Sequence, residues 1–187
     1  DLRRLIRLAQ SIQKHNAESL PFVVSVLQSE LPLFREHLAG LDVQLLADED
    51  ILRASPRMNL EQVARMPGSQ AQQVVKSEFW RLGLSEAYVC LDSDAVFIRP
   101  FGLSDFMTAQ GVPYTMLDEA HDLLEDALHR QRERIVTAFN HEADRVQELF
   151  GRAGRRYSFG PFPLVWHRVH GRAAADAAAD RLDERAE

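Results

Sequence analysis

Tyr88-Val-Cys-Leu-Asp92-Ser-Asp94-Ala-Val-Phe-Ile98-Arg-Pro100 sets an apolar, β-prone run on either side of two carboxylates one residue apart. Side chains alternate faces along an extended chain, so Asp92 and Asp94 are expected to point the same way and to converge on one cation. The spacing alone proves little. With 14 Asp in 187 residues, about one Asp-x-Asp is expected by chance, and a second, Asp48-Glu-Asp50, reads as an acidic loop or helix start. Context separates the two. Asp92 and Asp94 are flanked by β-branched and aromatic residues, with Pro100 closing the second expected strand.

Upstream, Leu2, Leu5, Ile6, Ala9 and Ile12 recur at helical spacing with Arg3, Arg4, Arg7 and Gln10 between them, which predicts an amphipathic helix over 2–14. Phe22–Val26 and Val43–Leu46 read as strands, and Leu31–Leu38 between them as a helix ended by Gly40. Residues 53–68 carry prolines and glycine without a clean period and read as a loop or broken helix. Ser69–Leu82 returns to helix, with Ser69 as N-cap, and Gly83 and Ser85 separate it from the Tyr88 strand. Strands alternating with helices predict an α/β fold, whose ligands sit at the carboxyl ends of parallel strands. Asp92 stands at such an end.

Downstream, a short helix near 104–109 and a strand over Val112–Leu117 are expected, followed by helix to Phe150. The polar stretch His129–Arg134 leaves one helix or two open. Gly151–Trp166 reads as a glycine- and proline-rich aromatic loop, and 171–187 as an Ala-rich helical or frayed tail beyond a domain at 1–170. No internal repeat is found.

At 187 residues, 45% hydrophobic and 27% charged, the chain has the size and composition of a globular domain with a core. A formal charge of −6 argues against general affinity for nucleic acid or anionic membrane, which require basic surfaces. The single cysteine, Cys90, excludes an intramolecular disulfide and reads as a small buried hydrophobe in a reducing compartment. No run reaches the roughly 20 apolar residues of a membrane span. The expected location is the cytoplasm, at most peripheral to the inner membrane. The chain opens at Asp1 without Met and directly in a helical pattern, so it is expected to be a segment of a longer product or a trimmed form of one.

Gln72-Gln73-x-x-Lys76, a short helix, then Tyr88-Val-Cys-Leu-Asp92-Ser-Asp94-x-x-Phe97-Ile-Arg-Pro100 resembles the nucleotide-sugar core of glycosyltransferases with the A-type (GT-A) fold. The similarity is to a bacterial branch distantly related to the glycogenin and galactosyltransferase group. It extends to Asp1-Leu2, Leu31-Pro-Leu-Phe-Arg35 and Tyr157-Ser-Phe-Gly-Pro-Phe-Pro-Leu-Val-Trp166, and so over most of residues 1–168. The resemblance implies a mainly parallel sheet flanked by helices, lacking the family's first strand, which would precede Asp1, and its C-terminal elements. It also implies Mn²⁺ or Mg²⁺ on Asp92 and Asp94, with transfer of sugar from a nucleotide-sugar donor to an unknown acceptor such as a surface glycan precursor. Donor contacts would come from Asp92, Ser93, Lys76 and Gln73, and a sugar-site wall from Trp166, Gly160, Pro161 and Pro163. The competing role of Trp166 is core, and that of Lys76 is a helix-surface cation.

The catalytic residues stay unknown. Asp118, Glu119 and His121 stand as a base or as an acidic helix start, Arg99 as a phosphate partner or surface charge, and His167 and His170 as late histidines. Two other readings compete. Apolar strand plus Asp92-x-Asp94-x-Val96 also fits the nucleophile loop of haloacid-dehalogenase-like phosphatases, but that family needs a later lysine and no lysine follows Asp94. A truncated, inactive binding module is the non-enzymatic alternative.

Overall fold

The computed structural model describes residues 2–115, 117–159 and 164–167. It is mixed α/β, about half helical, with a small parallel sheet of two strands. The described chain divides into two compact units, one of residues 2–114 with 165–167, the other of 115–159 and 164.

The first unit is built on α1 (Leu2–His15), whose apolar stripe buries Leu5, Leu8, Ala9 and Ile12. These pack with Val24, Val26, Leu38 and Phe101 into its larger core. β1 (Val23–Val26) runs parallel to β2 (Gln44–Ala47), Val24 opposite Leu45 and Val26 opposite Ala47. The crossover between them is a 3₁₀ turn, Gln28–Glu30, and α2 (Leu31–His37). β2 leads directly into α3 (Asp48–Arg53), so Asp48-Glu-Asp50 is a helix start.

The stretch without a period contains a short helix, α4 (Leu60–Ala64), capped by the Asn59 side chain on the Glu61 and Gln62 N–H groups. α5 (Gly68–Glu78) then packs Val75 with Ile51, Leu52 and Val63 in a second core cluster. Two details of the expected helix change. Pro67 stands at the N-cap and Ser69 falls inside the first turn, and the last residues, Phe79–Leu82, wind as 3₁₀ before Gly83 at φ +65°. A positive φ is cheap only for glycine, which is why the helix stops there.

β3 (Ala87–Cys90) carries the first apolar run. The second run is not a strand, contrary to expectation. Residues 95–98 have no ladder partner, Ile98 is 86% exposed, and the Phe97 N–H is met by the Ser11 hydroxyl at 3.0 Å. Alternation predicts an extended chain, but a strand also needs a neighbour to take its N–H and C=O groups. Here α1 fills that role. Phe101 donates its N–H to His15 C=O at 2.9 Å and accepts from Ala17 at 3.0 Å, and its ring stacks on Phe97 at 3.9 Å. The helix expected near 104–109 is only a 3₁₀ turn, Leu103–Asp105, and the strand over 112–117 reduces in this unit to a Met107–Pro113 bridge.

In the second unit, β4 (Leu117–Asp118) pairs antiparallel with β5 (Ser158–Phe159). Between them the long helical pattern splits into α6 (His121–His129) and α7 (Glu133–Leu149). The break at Gln131 is chemically specific. The Gln131 N–H bonds to Leu128 C=O at 3.0 Å and the Arg132 N–H to Ala127 C=O at 2.7 Å, with Gln131 at φ +54°. This is the Schellman pattern that normally uses glycine. The end of α7 repeats it with Gly151 at φ +59°.

The segment read as one long aromatic loop ends in β6 (Leu164–His167), which pairs with β3. Among the described residues the strands form three two-stranded ladders, β1–β2, β3–β6 and β4–β5, of which β1–β2 is parallel and β4–β5 antiparallel. Gly160, Pro161, Pro163, His170 and the 171–187 tail lie outside the described residues.

Candidate functional site

The site assembles from three elements of the first unit: the last turns of α5, the exit of β3 and the first turn of α1. β3 delivers the chain with Cys90 buried and Leu91 half-buried, and the backbone then turns, Ala95 N–H bonding to Asp92 C=O at 3.0 Å. Ser93 and Asp94 form the exposed tip of this turn. The expected strand alternation therefore does not set the direction of the two carboxylates; the turn does. Charge then orients each one.

Asp92 Oδ1 accepts from Lys76 Nζ at 2.8 Å, the lysine side chain being 13% exposed and the aspartate 43%. Asp94 Oδ2 lies 3.5 Å from an Arg4 guanidinium nitrogen, both side chains being more than half exposed. A pair as open as Arg4–Asp94 contributes at most about 1 kcal/mol. In the Lys76–Asp92 pair the lysine is the shielded partner, and its backbone is tied down. The Tyr88 hydroxyl donates to the Lys76 carbonyl at 3.0 Å, and the Tyr88 ring meets Phe79 edge-on at 4.9 Å and stacks with Trp166 at 6.3 Å.

Burial pushes the Tyr88 phenol well above its usual range, with smaller contributions from Cys90 and Glu78. Burial likewise pushes the Cys90 thiol up to about 11; the Lys76 ammonium opposes the shift and the Asp92 carboxylate adds to it. Cys90 is thus a protonated core residue at neutral pH and no nucleophile.

The other site residues fall as follows. Gln73, one turn before Lys76 on α5, is exposed, and so is Ser93. Trp166 is partly buried on β6 and stacks with Tyr88. Arg99 pairs with Asp105 at 2.8 Å, and that guanidinium together with the Gly102 N–H, the larger influence, holds the Asp105 carboxyl below its usual range. In the second unit, Glu119 is bridged by Arg155 at 3.0 Å and His121 at 3.5 Å. α1 is the contributor that motif reading missed. Arg4 and Ser11 fall two turns apart on one helical face, flanking Leu8, and a polar pair on the margin of an apolar stripe was the available signal.

Asp92 and Asp94 supply hard oxygen donors of the type Mn²⁺ and Mg²⁺ prefer. Among the described residues no group of three or more His, Cys, Asp and Glu gathers to hold a metal. Two carboxylates alone would leave a cation held there to complete its shell from water or ligand oxygens. Each carboxylate has one oxygen facing a side-chain cation.

Comparison of the chain with protein-family models, curated proteins and solved structures finds no match. Among the described residues no helix is long and apolar enough to cross a membrane.

Proposed function

We propose that this chain carries the donor site of a GT-A-type glycosyltransferase, which moves a sugar from a nucleotide-sugar donor to an acceptor, such as a precursor of a bacterial surface glycan. The observation that carries the reading is the acidic turn at the carboxyl end of β3, with the Lys76 ammonium 2.8 Å from Asp92. Opposite charges side by side at a strand end suit a ligand that is a metal-bound diphosphate, since the anion and its counter-ion each find a partner. Asp92 and Asp94 would hold the cation, which when bound offsets charge developing on the departing diphosphate. Lys76, Ser93 and Gln73 are the donor contacts in this reading. Trp166 is the sugar-wall candidate in this reading, since an aromatic face packs on the apolar face of a sugar ring; the other candidates, Gly160, Pro161 and Pro163, lie outside the described residues.

One observation favours a second reading. An aspartate nucleophile in a phosphatase also needs a cation at its carboxylate, and Lys76 gives Asp92 one from the upstream side. Incubation with a panel of nucleoside diphosphate sugars and Mn²⁺, beside a panel of phosphate monoesters, separates these cases. The glycosyltransferase reading expects release of nucleoside diphosphate from one donor and loss of that release in Asp94→Asn. Release of inorganic phosphate from monoesters, abolished by Asp92→Asn, selects the phosphatase. Donor binding without release marks an inactive binding module.

A further inference from the structure

Of the 22 basic side chains only two are lysines, Lys14 and Lys76, in a chain that otherwise uses arginine. Lys76 is the shielded one, its side chain 13% exposed and its ammonium on Asp92. A compact ammonium on a flexible stem makes point contacts and can leave one oxygen for another, whereas a guanidinium clamps a carboxylate with a rigid fork. The rest of the surroundings is braced. Tyr88 ties the Lys76 carbonyl and its ring meets both Phe79 and Trp166, so displacement from Asp92 would move the lysine side chain rather than its backbone. A cation approaching Asp92 meets a positive charge 2.8 Å from Oδ1 and must displace it or accept weaker coordination. At Asp94 the opposition is smaller, because Arg4 lies further away, at 3.5 Å, and in solvent.

We infer that Lys76 is a built-in counter-ion that holds the place of the cation at Asp92 until a divalent cation binds and displaces it. The inference rests on the reading of Asp92 as a cation ligand. It makes metal affinity weak in the absence of donor, since part of the attraction of the acidic turn is already neutralised. The displaced ammonium then carries its charge to a donor phosphate, so cation and donor favour each other's binding.

Because the chain has two lysines, the ε-methylene signals of selectively ¹³C-labelled protein give one probe at the site and one control on α1. Titration with Mg²⁺ is expected to shift the Lys76 signal saturably and leave Lys14 unmoved. In parallel, Mn²⁺ affinity measured by electron paramagnetic resonance is expected to rise about tenfold in Lys76→Met, the scale of one close charge pair, and to fall back when Asp92→Asn is added. If Mn²⁺ binds the wild type and Lys76→Met equally and the Lys76 signal stays fixed, the counter-ion inference is overturned while the cation site stands. If Mn²⁺ binds none of these proteins, the cation reading of Asp92 and Asp94 fails as well. The resonance titration uses the wild-type chain, so it decides the matter even if the methionine variant does not fold.

Discussion

Asp48 shows what a single carboxylate costs at a strand end. It sits where β2 passes into α3, with Oδ1 buried and without a hydrogen-bond partner among the described residues. Burial raises its pKa; a hydrogen bond from Ser25 opposes the shift, and the charges of Glu49 and Glu30 add to it. A raised folded-state value means that the native protein holds this proton more tightly than the unfolded chain does. Its stabilising effect is therefore complete below the unfolded value and disappears as pH rises through the folded one. Asp48→Asn is expected to be more resistant to urea than the wild type at pH 7, with the difference shrinking as the pH falls toward the ordinary aspartate value. Urea midpoints across that range check it.

The Lys76–Asp92 contact lay within reach of the sequence as two separate hints, a lysine one helix upstream and an acidic pair after a strand. The resemblance implied that both serve one donor site, and Gly83 was readable as the break between them; their direct ion pair was not, because it depends on backbone geometry, including the 3₁₀ turn before Gly83. Arg4 was legible only as one of several basic residues on α1.

At the scale of elements, amphipathic periodicity located α1, and burial confirms the stripe: Leu8 is 2% exposed at the centre of the larger core. Leu8→Ala is expected to cost about 2–5 kcal/mol, read as a lowered denaturation midpoint with unchanged helical circular dichroism in the remaining folded fraction. Strands were legible where β-branched runs had a neighbour, as in Val23–Val26 beside Gln44–Ala47. Ala95–Ile98 had the same composition and formed no strand, since pairing is a property of two segments and the pattern of one cannot report it.

The α6–α7 break teaches a related lesson through its stop residue. Gly151 announces the end of α7, but Gln131 does the same work for α6 without the glycine that sequence reading relies on. Gln131→Gly is expected to stabilise the chain by about 0.5–1 kcal/mol, because glycine escapes most of the left-handed penalty of an L side chain. Gly151→Ala is expected to destabilise by a similar amount. Paired thermal melts of the two variants test the opposite signs.

Over the whole molecule, the α/β class and the order of the early elements were readable from periodicity and stop signals, and the arrangement of the ladders was not. The division near residue 114 has no composition shift or linker to mark it. β6 hid inside an aromatic, proline-rich stretch whose composition reads as loop, yet it places Trp166 against Tyr88 of β3. The candidate site thus gathers segments distant in sequence around β3, a long-range fact invisible to local pattern.

What matters most is whether the acidic turn after β3 receives a metal-bound nucleotide sugar. Calorimetric titration of the folded chain with nucleoside diphosphate sugars in the presence of Mn²⁺ addresses it without requiring the acceptor. Saturable binding of at least one donor is predicted, strengthened by Mn²⁺ and weakened about tenfold or more in Asp94→Asn. Absence of binding by every donor to folded protein, or binding that neither Mn²⁺ nor Asp94→Asn alters, would contradict it.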